Sequence, residues 1–197
     1  MIEKKERIGE VVHASTSLFS VQCHVLYGAP GLGALVSTGS NNTIYGVVAE
    51  VSTNSIDPGR RPMVMGQDQE SIESVYKQNP QLSRLLTTEF QVIVVGHIDN
   101  NGELQRFLAP IPPKIHELVY VCQGSEVIEI ARSLEMLPAL LSSPVGSPDE
   151  LTAAFLRFLA NEHDDPKETL LRSGRDLAKY LIGEFPRLSS ILKRVSL

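Results

Sequence analysis

The chain reads as an α+β protein, with a closed β-barrel of six or seven strands over residues 1–124 and a small bundle of three or four helices over 125–197. Three observations carry that reading. Apolar residues recur with period two at Phe19, Val21, Cys23 and Val25, and again at Tyr45, Val47, Ala49 and Val51, the rhythm of a half-buried strand. Near Gly124 this rhythm stops and leucines at helical spacing take over. Between the two lies Phe90–Ile98, with Phe90, Val92, Val94 and Ile98 on one face and Gln91, Ile93, Val95 and His97 on the other. A strand largely apolar on both sides is buried on both, as in a barrel wall with something packed outside it.

In chain order, residues 8–12 form a short first strand and Ser17–Leu26 a second, with Ser20, Gln22 and His24 facing away from its apolar side. Gly28, Pro30, Gly31 and Gly33 punctuate a loop before a third strand at Leu35-Val36. Ser40-Asn41-Asn42 is a turn, Thr43–Thr53 a fourth strand, and Asn54–Pro62 a loop holding an Asp-Pro-Gly turn. Residues 69–86 break the strand rhythm. Ile72, Val75, Tyr76, Leu82, Leu85 and Leu86 are helically spaced, and Asn79-Pro80 splits them into two short helices, because proline suits a first helical turn and not an interior. After Phe90–Ile98, Asp99-Asn100-Asn101-Gly102 supplies hairpin-turn residues. Pro110, Pro112 and Pro113 stop the sheet, having no N–H to give a ladder, and Ile115–Val121 is a last strand or extended arm.

Beyond Gly124, Val127–Leu141 reads as a helix, interrupted or ended near Pro138. Ser147-Pro148-Asp149-Glu150 has the pattern of a capping box ahead of the stripe Leu151, Phe155, Phe158 and Leu159. Asp165-Pro166-Lys167-Glu168 repeats that start, Gly183 is a stop, and a last helix begins near Pro186.

A net charge of -5 argues against a dedicated nucleic-acid binder, and the lack of Trp against a base-stacking platform. Cys23 and Cys122 sit in apolar runs, as small buried hydrophobes rather than a disulfide framework. With no secretion signal and no long apolar run, the expected location is the cytoplasm.

Candidate chemistry is sparse. The glycine-rich stretch at residues 28–40 fails as a phosphate loop, because there is no lysine between Lys5 and Lys77. It fails as a dinucleotide loop, because the third glycine position is Val36. Five histidines, His13, His24, His97, His116 and His163, show no i,i+4 pairing. His24 and His97 could meet on a shared barrel face, although separately satisfied strand histidines are the preferred reading, and His163-Asp164-Asp165 has acid–base composition, although Asp165 is already explained as a helix cap. No catalytic, cofactor-binding or metal-ligating residue is assigned, and no enzyme is expected. The final segment carries Lys167, Arg172, Arg175, Lys179, Arg187, Lys193 and Arg194 against Glu168, Asp176 and Glu184, leaving it about four positive.

The succession of a Gly9-x-Val11-Val12 start, a Gly46-Val47 strand, and Pro110, Pro112 and Pro113 leading to Val119-Tyr120 resembles the HAS barrel. This is the small N-terminal barrel of HerA-type DNA translocases and of rotary ATP synthase subunits. The likeness covers roughly residues 6–130. In HerA-type proteins a P-loop ATPase follows, whereas helices without a Walker lysine follow here, so ATP hydrolysis does not carry over. The resemblance implies a non-catalytic collar that oligomerises or docks on a HerA-like ATPase, as such barrels present surfaces to partners like the NurA nuclease. Two other readings stand beside it. One is a nucleic-acid-associated accessory barrel using the basic C-terminal segment. The other is a small-molecule enzyme with a site at the barrel–bundle junction near His24 and His97.

Overall fold

The structure, a computed structural model, describes residues 6–39, 42–57, 59 and 61–195. Among the described residues there are seven strands: β1 (Arg7–Ala14), β2 (Leu18–Cys23), β3 (Leu35–Thr38), β4 (Ile44–Ser55), β5 (Leu86–Ile98), β6 (Leu104–Gln105) and β7 (Leu118–Val121). Six of them pair antiparallel in a ring, β1-β2-β5-β4-β3-β7 and back to β1, while β6 adds only to the end of β5. Two short helices, α1 (Ile72–Gln78) and α2 (Leu82–Leu85), lie between β4 and β5. Five follow the strands: α3 (Ser125–Ile130), α4 (Leu137–Leu141), α5 (Pro148–Asn161), α6 (Pro166–Tyr180) and α7 (Phe185–Val195). The protein is therefore mixed α+β, a ring-like antiparallel sheet followed by helices. Of the turns read from the sequence, Ser40 and Asn41 of one and Pro58 of the other lie outside the described residues.

The two-faced strand explains how sheet and helices are joined. Phe90, Val92 and Val94 enter a cluster with Val11, Phe19, Val21, Val36, Val48 and Val119, so every ring strand contributes to it. The alternate residues Ile93 and Val95 join Leu35, Tyr45, Val47 and Ala49 on the other face, where Val127, Leu137, Leu140, Leu151, Phe155 and Leu159 cover them. Both faces of the β3-β4-β5 wall are thereby removed from water, each buried Val, Leu, Ile or Phe contributing about 1.5–3 kcal/mol. Arg106 fastens the seam: its guanidinium donates to the carbonyls of Ile130 (3.0 Å) and Glu129 (2.7 Å), orphan acceptors at the end of α3.

Two register shifts change face assignments. Tyr45 pairs with Gly96 and Gly46 with Val94, leaving Val95 as an extra residue. A bulge of this kind reverses the alternation beyond it, so Ile98 packs with the helix-side cluster, while His97 pairs with Ile44 of the ring cluster. A second shift, at Ala49, takes Val51 off the face of Tyr45, Val47 and Ala49 and leaves it 42% exposed. The second strand is shorter than its pattern, ending at Cys23, and Tyr27 has φ 63°.

The turn at Asp99 forms as its composition dictates, with the carboxylate accepting from the N–H groups of Asn101 and Glu103, both 2.9 Å, and Gly102 at φ 81°. Among the helices, residues 127–141 are not one element: α3 and α4 are separate, and Pro138 opens α4 instead of ending a helix. Ser147 occupies the cap position of α5 but its hydroxyl does not cap. The expected partner, Glu150, turns to Arg194 of α7. Asp165 does cap, accepting from the Glu168 N–H at 3.0 Å. Arg187 ties three helices together, donating to the Asp149 carboxylate (2.8 Å) and the Leu141 carbonyl (2.8 Å). Among the described residues no helix is long and apolar enough to cross a membrane.

Candidate functional site

β4 and β5 are the longest strands, and they outrun the ring. They pair with each other as far as Ser55 and Leu86, whereas β3 accompanies β4 only to Val47 and β2 accompanies β5 only to Glu89. The projecting hairpin carries α1, α2 and the irregular run 61–65. Asn79-Pro80 separates the helices as the sequence dictates, and the Asn79 amide donates to the Val75 carbonyl at 3.0 Å to close α1. Ser71 caps its start by accepting from the Ser74 N–H.

The insert is pinned to the ring by a tyrosine pair. The Tyr27 and Tyr76 hydroxyls lie 2.6 Å apart with their rings edge to face, and the Tyr27 N–H donates to Thr88 Oγ1 at 2.8 Å. The Tyr76 phenol is pushed up to about 12, first by that hydrogen bond and then by burial. It is therefore neutral near physiological pH and acts as a hydrogen-bonding anchor.

Between hairpin tip and helices lies a groove of about 770 Å³. Ile56, Met63, Ile72, Val75, Leu82 and Leu85 give it an apolar wall, with Arg61, Arg84 and Asp57 at the edge. Its size falls in the range of binding sites, and it stays open: Met63 is 78% exposed, Ile72 60%, and the adjacent Val64 90%. Neither Arg61 nor Arg84 has an ion pair among the described residues. The Asp57 carboxylate accepts from the Gly59 N–H at 3.0 Å.

His24 and His97 do not meet, in keeping with the preferred reading of each as a separately satisfied histidine. In the β2–β5 register Gln22 lies opposite Glu89, which puts His24 level with Thr87. His97 is about ten residues further along β5, about 30 Å at the rise of a strand. Each ring has its own partner: His24 Nε2 lies 3.3 Å from Glu10, and His97, buried, has Nδ1 3.2 Å from the Phe107 carbonyl. The motive for a junction site around these two residues is gone.

Glu10 instead gathers His24 and His116, whose Nδ1 lies 3.0 Å from its other oxygen. The His116 and His24 hydrogen bonds, in that order, hold the carboxyl below the usual carboxylate range. This bridge across β1, the end of β2 and the loop before β7 escaped sequence reasoning, since 106 residues separate Glu10 from His116. Among the described residues no three His, Cys, Asp or Glu side chains are grouped to hold a metal ion.

His163, Asp164 and Asp165 line a shallow hollow with Glu168, Thr169 and Arg172, where Asp165 is occupied as the α6 cap. The cysteines form no disulfide. Cys122 is fully buried, and burial pushes the Cys23 thiol up to about 11, with Glu89 adding to the effect.

The glycine-rich loop serves packing. Gly33 has φ 84°, and a Cβ there would stand 2.4 Å from backbone atoms of Ala154 and Phe155 in α5. Of the basic C-terminal residues, Arg187 pairs with Asp149 and Glu184, Lys179 with Asp176, and Arg194 with Glu150.

The groove itself had one legible sign, Pro62-Met63-Val64-Met65-Gly66, an apolar run that fits neither strand nor helix period. Comparison of the chain with models of known protein families and with curated proteins finds no match.

Proposed function

We propose that this chain is a non-catalytic assembly protein of the cytoplasm. Its six-strand ring closes as a small barrel of the HAS type, and its β4–β5 insert docks on a partner, a HerA-like P-loop ATPase. The observation that carries the docking role is the groove of the insert, whose apolar residues stand in water while Leu35, Val47, Ile93 and Val95 of the ring are covered. Each such side chain forgoes about 1.5–3 kcal/mol that burial would supply, and contiguous exposed apolar surface marks interaction sites. The HAS reading rests on the short motifs around Gly9, Gly46 and Pro110–Pro113, and a ring-like antiparallel sheet is compatible with it. The nucleic-acid reading has less support, because Lys179, Arg187 and Arg194 are spent on carboxylates of their own chain.

The test is affinity capture of the tagged chain from its native cells, with co-purifying proteins identified by mass spectrometry. A P-loop ATPase retained through washing is the expected result. Recovery of the chain alone or with nucleic acid only, or ATP turnover by the purified chain, overturns the reading.

A further inference from the structure

We infer that the groove of the insert receives an acidic amphipathic helix from a partner protein. Apolar side chains of that helix enter between Met63, Ile72, Val75 and Leu85, and carboxylates on its flanks meet Arg61 and Arg84. The inference rests on the docking role given to the groove above, and adds the chemistry of what docks there.

The shape of the site favours a helix. Its walls are 40–78% exposed at Met65, Leu85, Ile56, Ile72 and Met63, so it does not enclose a small molecule, which a pocket normally buries by 70–90%. α1 contributes Ile72, Val75 and Tyr76 to one side, a span of about 6 Å at the helical rise. Leu82 and Leu85 of α2 continue the lining, and anchors at i and i+3 or i+4 of a docked helix have spacing of that order. Met63 and Met65, two of the four methionines in the chain, belong to this wall, and unbranched thioether side chains adapt their shape to an incoming apolar surface.

Charge selects the flanks. The groove edge carries two guanidiniums without ion pairs among the described residues, and its one carboxylate, Asp57, is turned onto the Gly59 N–H. A planar guanidinium fits a carboxylate through two parallel hydrogen bonds. The chain's own uncovered apolar helix end, with Ile182, Phe185 and Leu192 exposed around α7, does not fit, because the carboxylates beside it are engaged: Asp149 and Glu184 pair with Arg187, and Glu150 with Arg194.

Two fluorescein-labelled helical peptides of 15 residues, sharing one leucine stripe at i, i+3, i+4 and i+7, test this by fluorescence anisotropy on the full chain. One carries glutamate on both flanks and the other lysine. The glutamate peptide binds saturably and about tenfold more tightly, the scale set by two exposed ion pairs. The double variant Arg61→Glu/Arg84→Glu reverses the order, and Met63→Asp, at a position open to solvent, removes binding of both. Equal or tighter binding of the lysine peptide overturns the inference, as does saturation of neither peptide or binding that survives Met63→Asp. So does a wild-type dimer in sedimentation that Met63→Asp dissolves, because a second copy then covers the groove, and so does flotation of the chain with phosphatidylserine vesicles. Capture of an ATPase that depends on Met63, with no preference between the peptides, leaves the docking role standing and removes only the acidic helix. Peptide binding as described, with no ATPase captured, does the reverse.

Discussion

The two ends of the β4–β5 hairpin make opposite use of the same kind of residue. Where the hairpin belongs to the ring, Val47, Ile93 and Val95 are 0–4% exposed, with the C-terminal helices pressed against them. Where it runs past the ring, Ile56, Met63 and Ile72 are 54–78% exposed, and nothing in the described chain covers them. Burial at the first end holds the sheet and helices together. Apolar surface at the second end contributes little to folding, so it is free to be matched to a partner.

Substitutions at the covered end break this contrast most visibly. Phe155→Ala removes a fully buried ring from the seam between sheet and helices and is expected to cost about 3–5 kcal/mol in urea denaturation followed by circular dichroism. Gly33→Ala comes next. It forces a left-handed φ on a residue with a Cβ and drives that atom into the α5 backbone, so a loss of about 1–3 kcal/mol is expected from backbone strain. A result near zero would mean that the loop does not press on α5. Arg187→Ala sharpens the comparison within the helices. It takes two 2.8 Å hydrogen bonds from between α4, α5 and α7. A charged hydrogen bond contributes about 1.5–3 kcal/mol. With the side chain about a third exposed and the ion pair screened, a loss of about 1 kcal/mol is expected. At the other end, Met63→Asp with Val64→Asp is expected to change stability by less than about 0.5 kcal/mol, as surface substitutions do.

Which parts of this were legible in sequence follows from how local each cause is. The double apolar face of Phe90–Val95, the Asp99–Gly102 turn and the Asp165 cap were readable because each is settled within a few residues. The bulges at Ala49 and Val95 were not. An extra residue is defined only by the partner strand, and so Val51 and Ile98 were given the wrong faces. Ser147-Pro148-Asp149-Glu150 satisfied a capping pattern, but Glu150 had a better partner in Arg194, 44 residues away. For the same reason His24 and His97 could be imagined together: periodicity assigns a face but not a height along the strand. The groove was the hardest to read, because its residues come from a hairpin tip, a coil and two helices, and only Pro62–Gly66 hinted at surface that folding does not use.

The most direct test of this division is quantitative capture from native cells by wild type and by the Met63→Asp/Val64→Asp variant, each with its urea unfolding midpoint measured alongside. The account predicts a partner that the variant no longer retains, at an unchanged midpoint. The same partner held equally by both chains would place docking outside the groove, and an unfolding free energy lowered by several kcal/mol would place the insert in the folding core; either result contradicts it.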